Sequence, residues 1–110
     1  MYVILASRKG EYRSELVDGL VPVEVYDYMF YGRNKARFTI ALLEQPVKIR
    51  IVDEGPPQRE SFVSSKFLDH YDTLENAREA LQELVSFGSI DIRLECRPIS
   101  VLSELSQEQA

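Results

Sequence analysis

The residue pattern predicts an α+β fold: an antiparallel four-stranded sheet with two helices on one face, in the ferredoxin-like order strand, helix, strand, strand, helix, strand. Three features carry this expectation. Thr73 to Cys96 reads as an amphipathic helix followed at once by an alternating strand. Ala36–Leu43 and Val47–Val52 read as two strands with one apolar face each, and Val21–Tyr31 has the spacing of a helix preceding them. Two helices on one face would leave each strand only one apolar side to bury. The other side would then carry Arg37, Thr39, Lys48, Arg50, Asp91, Arg93 and Glu95.

Tyr2 to Ser7 forms the first strand, ended by Lys9-Gly10. Glu11 to Leu16 is either an extended return strand or an ordered loop, and Asp18-Gly19 marks a turn.

The segment Val21–Tyr31 supports two answers. Pro22 near a first helical position, Gly32 beyond a last one, and Val23, Tyr26 and Phe30 on a shared face all fit a helix. The same residues have the β-branched and aromatic content of a strand. The helix completes the ferredoxin-like order; the strand would make a larger antiparallel sheet with one long helix.

In Ala36–Leu43, Phe38, Ile40 and Leu42 share a face, as Val47, Ile49 and Ile51 do in the next strand; Glu44-Gln45-Pro46 joins the two as a hairpin. Glu54 to Asp72 follows as a long connection, opened by Gly55-Pro56-Pro57 and punctuated by Phe62, Phe67 and Tyr71.

The helix after it begins at Asp72 or Thr73, either of which can cap it, with Glu75 placed as a capping box requires. Leu74, Ala77, Leu81, Leu84 and Val85 form its apolar stripe, and Gly88 supplies its stop. In the last strand Ile90, Ile92, Leu94 and Cys96 point inward and alternate with charged residues, until Pro98 ends it. Residues 1–98 thus form a single α+β domain. Residues 99–110 form a tail in which Ser100 can cap a short amphipathic helix carrying Val101, Leu102 and Leu105, docked or frayed.

A chain of 110 residues can bury a core without staples, and its single cysteine excludes an internal disulfide or a four-thiolate zinc site. The apolar opening Tyr2–Ala6 is too short for a signal-peptide core or a membrane span, so a cytoplasmic setting with no membrane is expected. A net charge of −5 argues against general nucleic-acid binding; Arg33, Lys35 and Arg37 beside Tyr31 and Phe38 read as a solvated hairpin tip.

Little else points to chemistry. His70 in Asp69-His70-Tyr71-Asp72 is a weak candidate for proton transfer, with Asp69 to orient it. No metal-ligand spacing, phosphate-cradling glycine run or nucleophile elbow is present, so no metal and no cofactor is expected. Tyr26, Tyr28, Phe30 and Tyr31, with Phe62 and Phe67, are the candidates for contact with a ligand or partner, being rigid and apolar, the tyrosines with a hydroxyl handle. The functional expectation is a small acidic interaction or accessory protein, self-associating or docking on a larger complex through its aromatic segment. The alternative is a small-molecule-binding protein or small enzyme of the ferredoxin-like dimer type, with a pocket near His70.

Overall fold

A computed structural model describes residues 1–85 and 92–102. Its elements run β1 (Tyr2–Ser7), β2 (Tyr12–Glu15), β3 (Leu20–Phe30), β4 (Arg33–Leu43), β5 (Lys48–Asp53), β6 (Glu60–Ser64), α1 (Leu74–Val85) and β7 (Ile92–Arg97), with a 3₁₀ turn at Ser65–Phe67. One antiparallel sheet has the order β1-β4-β3-β7 and a second has the order β2-β5-β6.

The fold is therefore α+β, but not by the two-helix arrangement: among the described residues there is one α-helix, and Val21–Phe30 belongs to β3, with Tyr31 in the turn after it. The hairpin β3–β4 turns through Tyr31 and Gly32, both at positive φ, with Phe30 opposite Arg33. Positive φ at both central residues is the condition of a two-residue turn matched to strand twist, a condition usually announced by Asn-Gly. Tyr-Gly hides that signal. Pro22 is tolerated where the pairing with β4 shifts, between Pro22 and Glu24.

A second sheet removes the need for a second helix. On one side of the four-stranded sheet, Ala36, Phe38 and Ile40 pack with Ala77, Leu81 and Val85 of α1. On the other, Val3, Leu5, Leu20 and Ala41 pack with Ile49 of the second sheet. The layers run helix, sheet, sheet. Strand β4 is consequently covered on both sides, and Thr39, expected on a wet face, is buried.

Further expectations are corrected by the same architecture. Ala36–Leu43 and Val47–Val52 are both strands, but they belong to different sheets, so Glu44-Gln45-Pro46 turns a corner between layers and closes no hairpin. The connection Glu54–Asp72 holds β6 and the 3₁₀ turn, and Glu11–Leu16 supplies β2. Leu84 is exposed, because α1 buries the seam Ala77, Leu81, Val85. Cys96 is exposed as well: it sits on β7, a terminal strand, opposite Tyr26 and beyond the cover of α1.

Thr73 caps α1. Its Oγ1 accepts from the Asn76 N–H at 3.0 Å, while its carbonyl accepts from Ala77 N–H at 3.2 Å. The stop at Gly88, the inward residue Ile90, the outward residue Asp91, and Leu105 with the rest of the tail lie outside the described residues. Pro98–Leu102 forms a turn, closed by Val101 N–H on the Pro98 carbonyl and Leu102 N–H on that of Ile99. No helix among the described residues is long and apolar enough to cross a membrane.

Candidate functional site

Strand alternation splits the aromatic segment between core and solvent. Tyr28 meets Phe38 edge to face at 6.4 Å between ring centroids, inside the helix-side core. Tyr26 packs against the same core, and its hydroxyl donates to Glu24 Oε1 at 2.9 Å. Burial, then the hydrogen bond to the Glu24 carboxylate, pushes the Tyr26 phenol up to about 12. Arg78 of α1 donates to both Glu24 oxygens, at 2.7 and 2.6 Å, and holds that carboxyl below its ordinary range. Phe30 is half-buried with its ring edge-on to Tyr31 at 4.7 Å, and only Tyr31 stands exposed, at the hairpin tip. These four residues do not form one surface; Tyr26 and Tyr28 are core.

His70 is held by the backbone of the 3₁₀ turn. Its Nε2 lies 2.8 Å from the Ser65 carbonyl, and since a carbonyl only accepts, that nitrogen carries the proton. The ring braces the 3₁₀ turn against the start of the Asp69–Tyr71 segment. The nearby Asp69 charge acts on Tyr71, whose phenol is raised first by burial and then by Asp69 and Glu83. Among the described residues no group of three His, Cys, Asp or Glu side chains gathers to hold a metal ion.

Two features remain as candidates. The first is an open groove of about 440 Å³ between β1 and the inner face of the second sheet. Its apolar lining comes from Leu5, Ile49, Ile51, Val63 and Leu68, and its polar lining from Tyr12, Ser14 and Asp53. The groove exists because β1 is a terminal strand whose outer edge is bridged, among the described residues, only at its ends. Tyr2 and Tyr71 exchange N–H to carbonyl bonds of 2.7 and 2.9 Å at one end, and at the other Ser14 Oγ donates to the Ala6 carbonyl at 2.6 Å. His70 does not line it, although Leu68, two positions earlier, does.

The second candidate is the outer edge of β6. Toward β5, the Ser65 N–H donates to the Val47 carbonyl and the Asp53 N–H to the Arg59 carbonyl. Antiparallel pairs alternate, so Ser61 and Val63 also bond inward, and the N–H and carbonyl groups of Glu60, Phe62 and Ser64 point outward. Among the described residues β6 pairs only with β5, and none of them pairs with its outer edge. Phe62 on this edge is 60% exposed, and Phe67, just past it, is 76% exposed, the most of any large apolar residue among those described. Lys66 holds its Nζ 5.4 Å from the Phe67 ring centroid.

Charges on the sheet's outer face keep this edge regular. Arg50 Nη1 donates to Glu15 Oε1 at 2.7 Å, and Nη2 binds Glu60, tying all three strands together. Its guanidinium is accordingly held even more firmly protonated, by Glu60 first and then Glu15. The sequence signal for β6 is faint. Glu-Ser-Phe-Val-Ser has no apolar face, and a strand that presents one residue to the groove and one to solvent needs none.

No protein-family model matches this chain, and comparison with curated proteins and with solved structures gives no match either.

Proposed function

We propose that the chain is a small interaction domain with no enzymatic chemistry of its own, which docks a protein partner on the outer edge of β6. One observation carries this reading. Among the described residues, a strand edge with unpaired backbone groups carries two exposed phenylalanines between and beside the charges Glu60 and Lys66, whereas monomeric proteins ordinarily keep such edges free of exposed apolar side chains. An extended partner strand would supply the missing hydrogen bonds, with Phe62 and Phe67 providing apolar contact.

A photo-crosslinking residue placed at position 62 should capture protein in the host cell, while the same residue at Tyr31, on the far hairpin, should not. Absence of any crosslink at position 62, to itself or to another protein, would overturn the reading.

A second reading rests on the groove. Its volume lies within the range of small-ligand pockets, and its lining is mostly apolar with Tyr12, Ser14 and one carboxylate, Asp53. An apolar fluorescent dye should bind there, and Val63→Arg, which fills the groove from a half-buried position, should abolish that binding in the folded protein; undiminished dye binding would place the dye elsewhere.

A further inference from the structure

We infer that the partner of the β6 edge is a second copy of this chain, the two strands pairing antiparallel about a two-fold axis at Phe62. This rests on the reading of that edge as a docking surface. The three outward-facing residues, Glu60, Phe62 and Ser64, decide the register. When two copies run antiparallel, only the pairing of Phe62 with Phe62 matches all three: Glu60 then opposes Ser64 of the second copy, and Ser64 opposes its Glu60. Any other register that keeps the outward groups aligned leaves one of the three unpaired on each copy.

Charge favours the same arrangement. The edge carries an acid at its beginning, Glu60, and a base just past its end, Lys66, both exposed. Reversal about the axis brings each Glu60 to the end of the joined edge where the other copy's Lys66 stands, in the 3₁₀ turn just past Ser64, so opposite charges meet at both ends and no like pair is created between these residues. Parallel addition in register would stack each of these charges on itself. The two Phe62 rings project to the same side of the joined sheet across the axis, on the outer face that also carries Arg50, and become mutual cover. The two three-stranded sheets would become one of six strands, and two open edges would be removed together.

Sedimentation equilibrium on the full chain, from low to high micromolar concentration, tests the inference. A mass rising from one chain to two is expected. Phe62→Glu, which places two carboxylates at the axis, should hold the protein at one chain. Lys66→Glu alone should weaken association about tenfold, and adding Glu60→Lys should restore it to within about threefold. Glu60 also binds Arg50, so far-UV circular dichroism and urea melts must show each variant folded. A single-chain mass at every concentration overturns the inference, as does a dimer indifferent to Phe62→Glu and to the charge exchange. If the mass stays that of one chain while position 62 crosslinks to a different protein, the docking surface stands and only the identity of its partner falls. If neither association nor crosslinking occurs, both fall.

Discussion

Arg97, on the terminal strand β7, donates through Nε to Oδ2 of Asp27, 70 positions earlier in the chain, at 3.0 Å. From the other side Arg37 Nε donates to Oδ1 at 2.9 Å, so one carboxylate joins β3 to both of its neighbours, β4 and β7. Asp27 is only 3% exposed, and burial pushes its carboxyl up. Arg37, Arg97 and Asn34 together outweigh that and hold it below its ordinary value.

Removing the acid takes the counter-charge from Arg37 and leaves Arg97 with Glu95 alone. Asp27→Ala should destabilise the domain by about 2–4 kcal/mol, somewhat less than a fully buried pair because both arginines keep partial contact with water. Urea denaturation measures this. A loss under about 0.5 kcal/mol would mean that the clamp contributes nothing net.

The pH dependence follows from the same groups. Asp27 and Glu24 are both lowered from ordinary values of 3.8 and 4.5, so the unfolded chain binds protons more readily than the folded one. Their contribution is fully present above 4.5 and is lost as pH falls through the lowered folded values. The melting temperature should be flat near neutrality and drop under acid conditions, with a shallower drop in Asp27→Asn. Tyr26 acts at the opposite limb: raised from 10.0 to about 12, it contributes stability that is lost as pH climbs between those values.

The helix seam makes a direct comparison between two leucines. Leu81 is 1% exposed against Phe38 and Ile40, and Leu81→Ala should cost about 2–5 kcal/mol through lost burial and the cavity left behind. Leu84 is half-exposed, and Leu84→Ala should stay within about 0.5 kcal/mol. Equal losses would show that the helix is rotated about its axis from the orientation described.

Two glycines separate backbone strain from crowding. Both have positive φ, but a Cβ on Gly10 meets open space, whereas on Gly19 it would lie 2.7 Å from Val47 Cγ1 and 2.9 Å from Gln45 Cγ. Gly10→Ala should cost about 1 kcal/mol from the left-handed conformation alone, and Gly19→Ala about 2–3 kcal/mol. Thermal melts of the two variants side by side would reveal the difference; indistinguishable melts would mean the Val47 and Gln45 side chains move aside freely.

The amino-acid sequence by itself determined the local elements wherever one residue type has one consequence. Leu74, Ala77, Leu81 and Val85 at helical spacing after a cap at Asp72 or Thr73 specify α1 and the side it buries, although Leu84 of the same stripe is exposed, and Phe38 and Ile40 specify the face of β4 that meets it. It left the partner of each strand undecided. Val25, Thr39 and Ala41 are buried on the face that a two-layer fold would leave wet, and Ala41 packs there with Ile49 of the second sheet. Strand pairing depends on contacts between distant residues, so a local pattern cannot choose between a helix and a doubly covered strand at Val21–Tyr31. Gly32 serves either choice, as a helix stop or as the left-handed half of a tight turn.

The candidate site divided in the same way. Phe62 and Phe67 could be picked out as apolar residues in a connection without a periodic face. That they flank an open strand edge, while Tyr26 and Tyr28 fill the core, was decided by the tertiary structure. Backbone hydrogen-bonding capacity is identical at every non-proline residue, and only the arrangement of strands determines which of those groups is left without a partner.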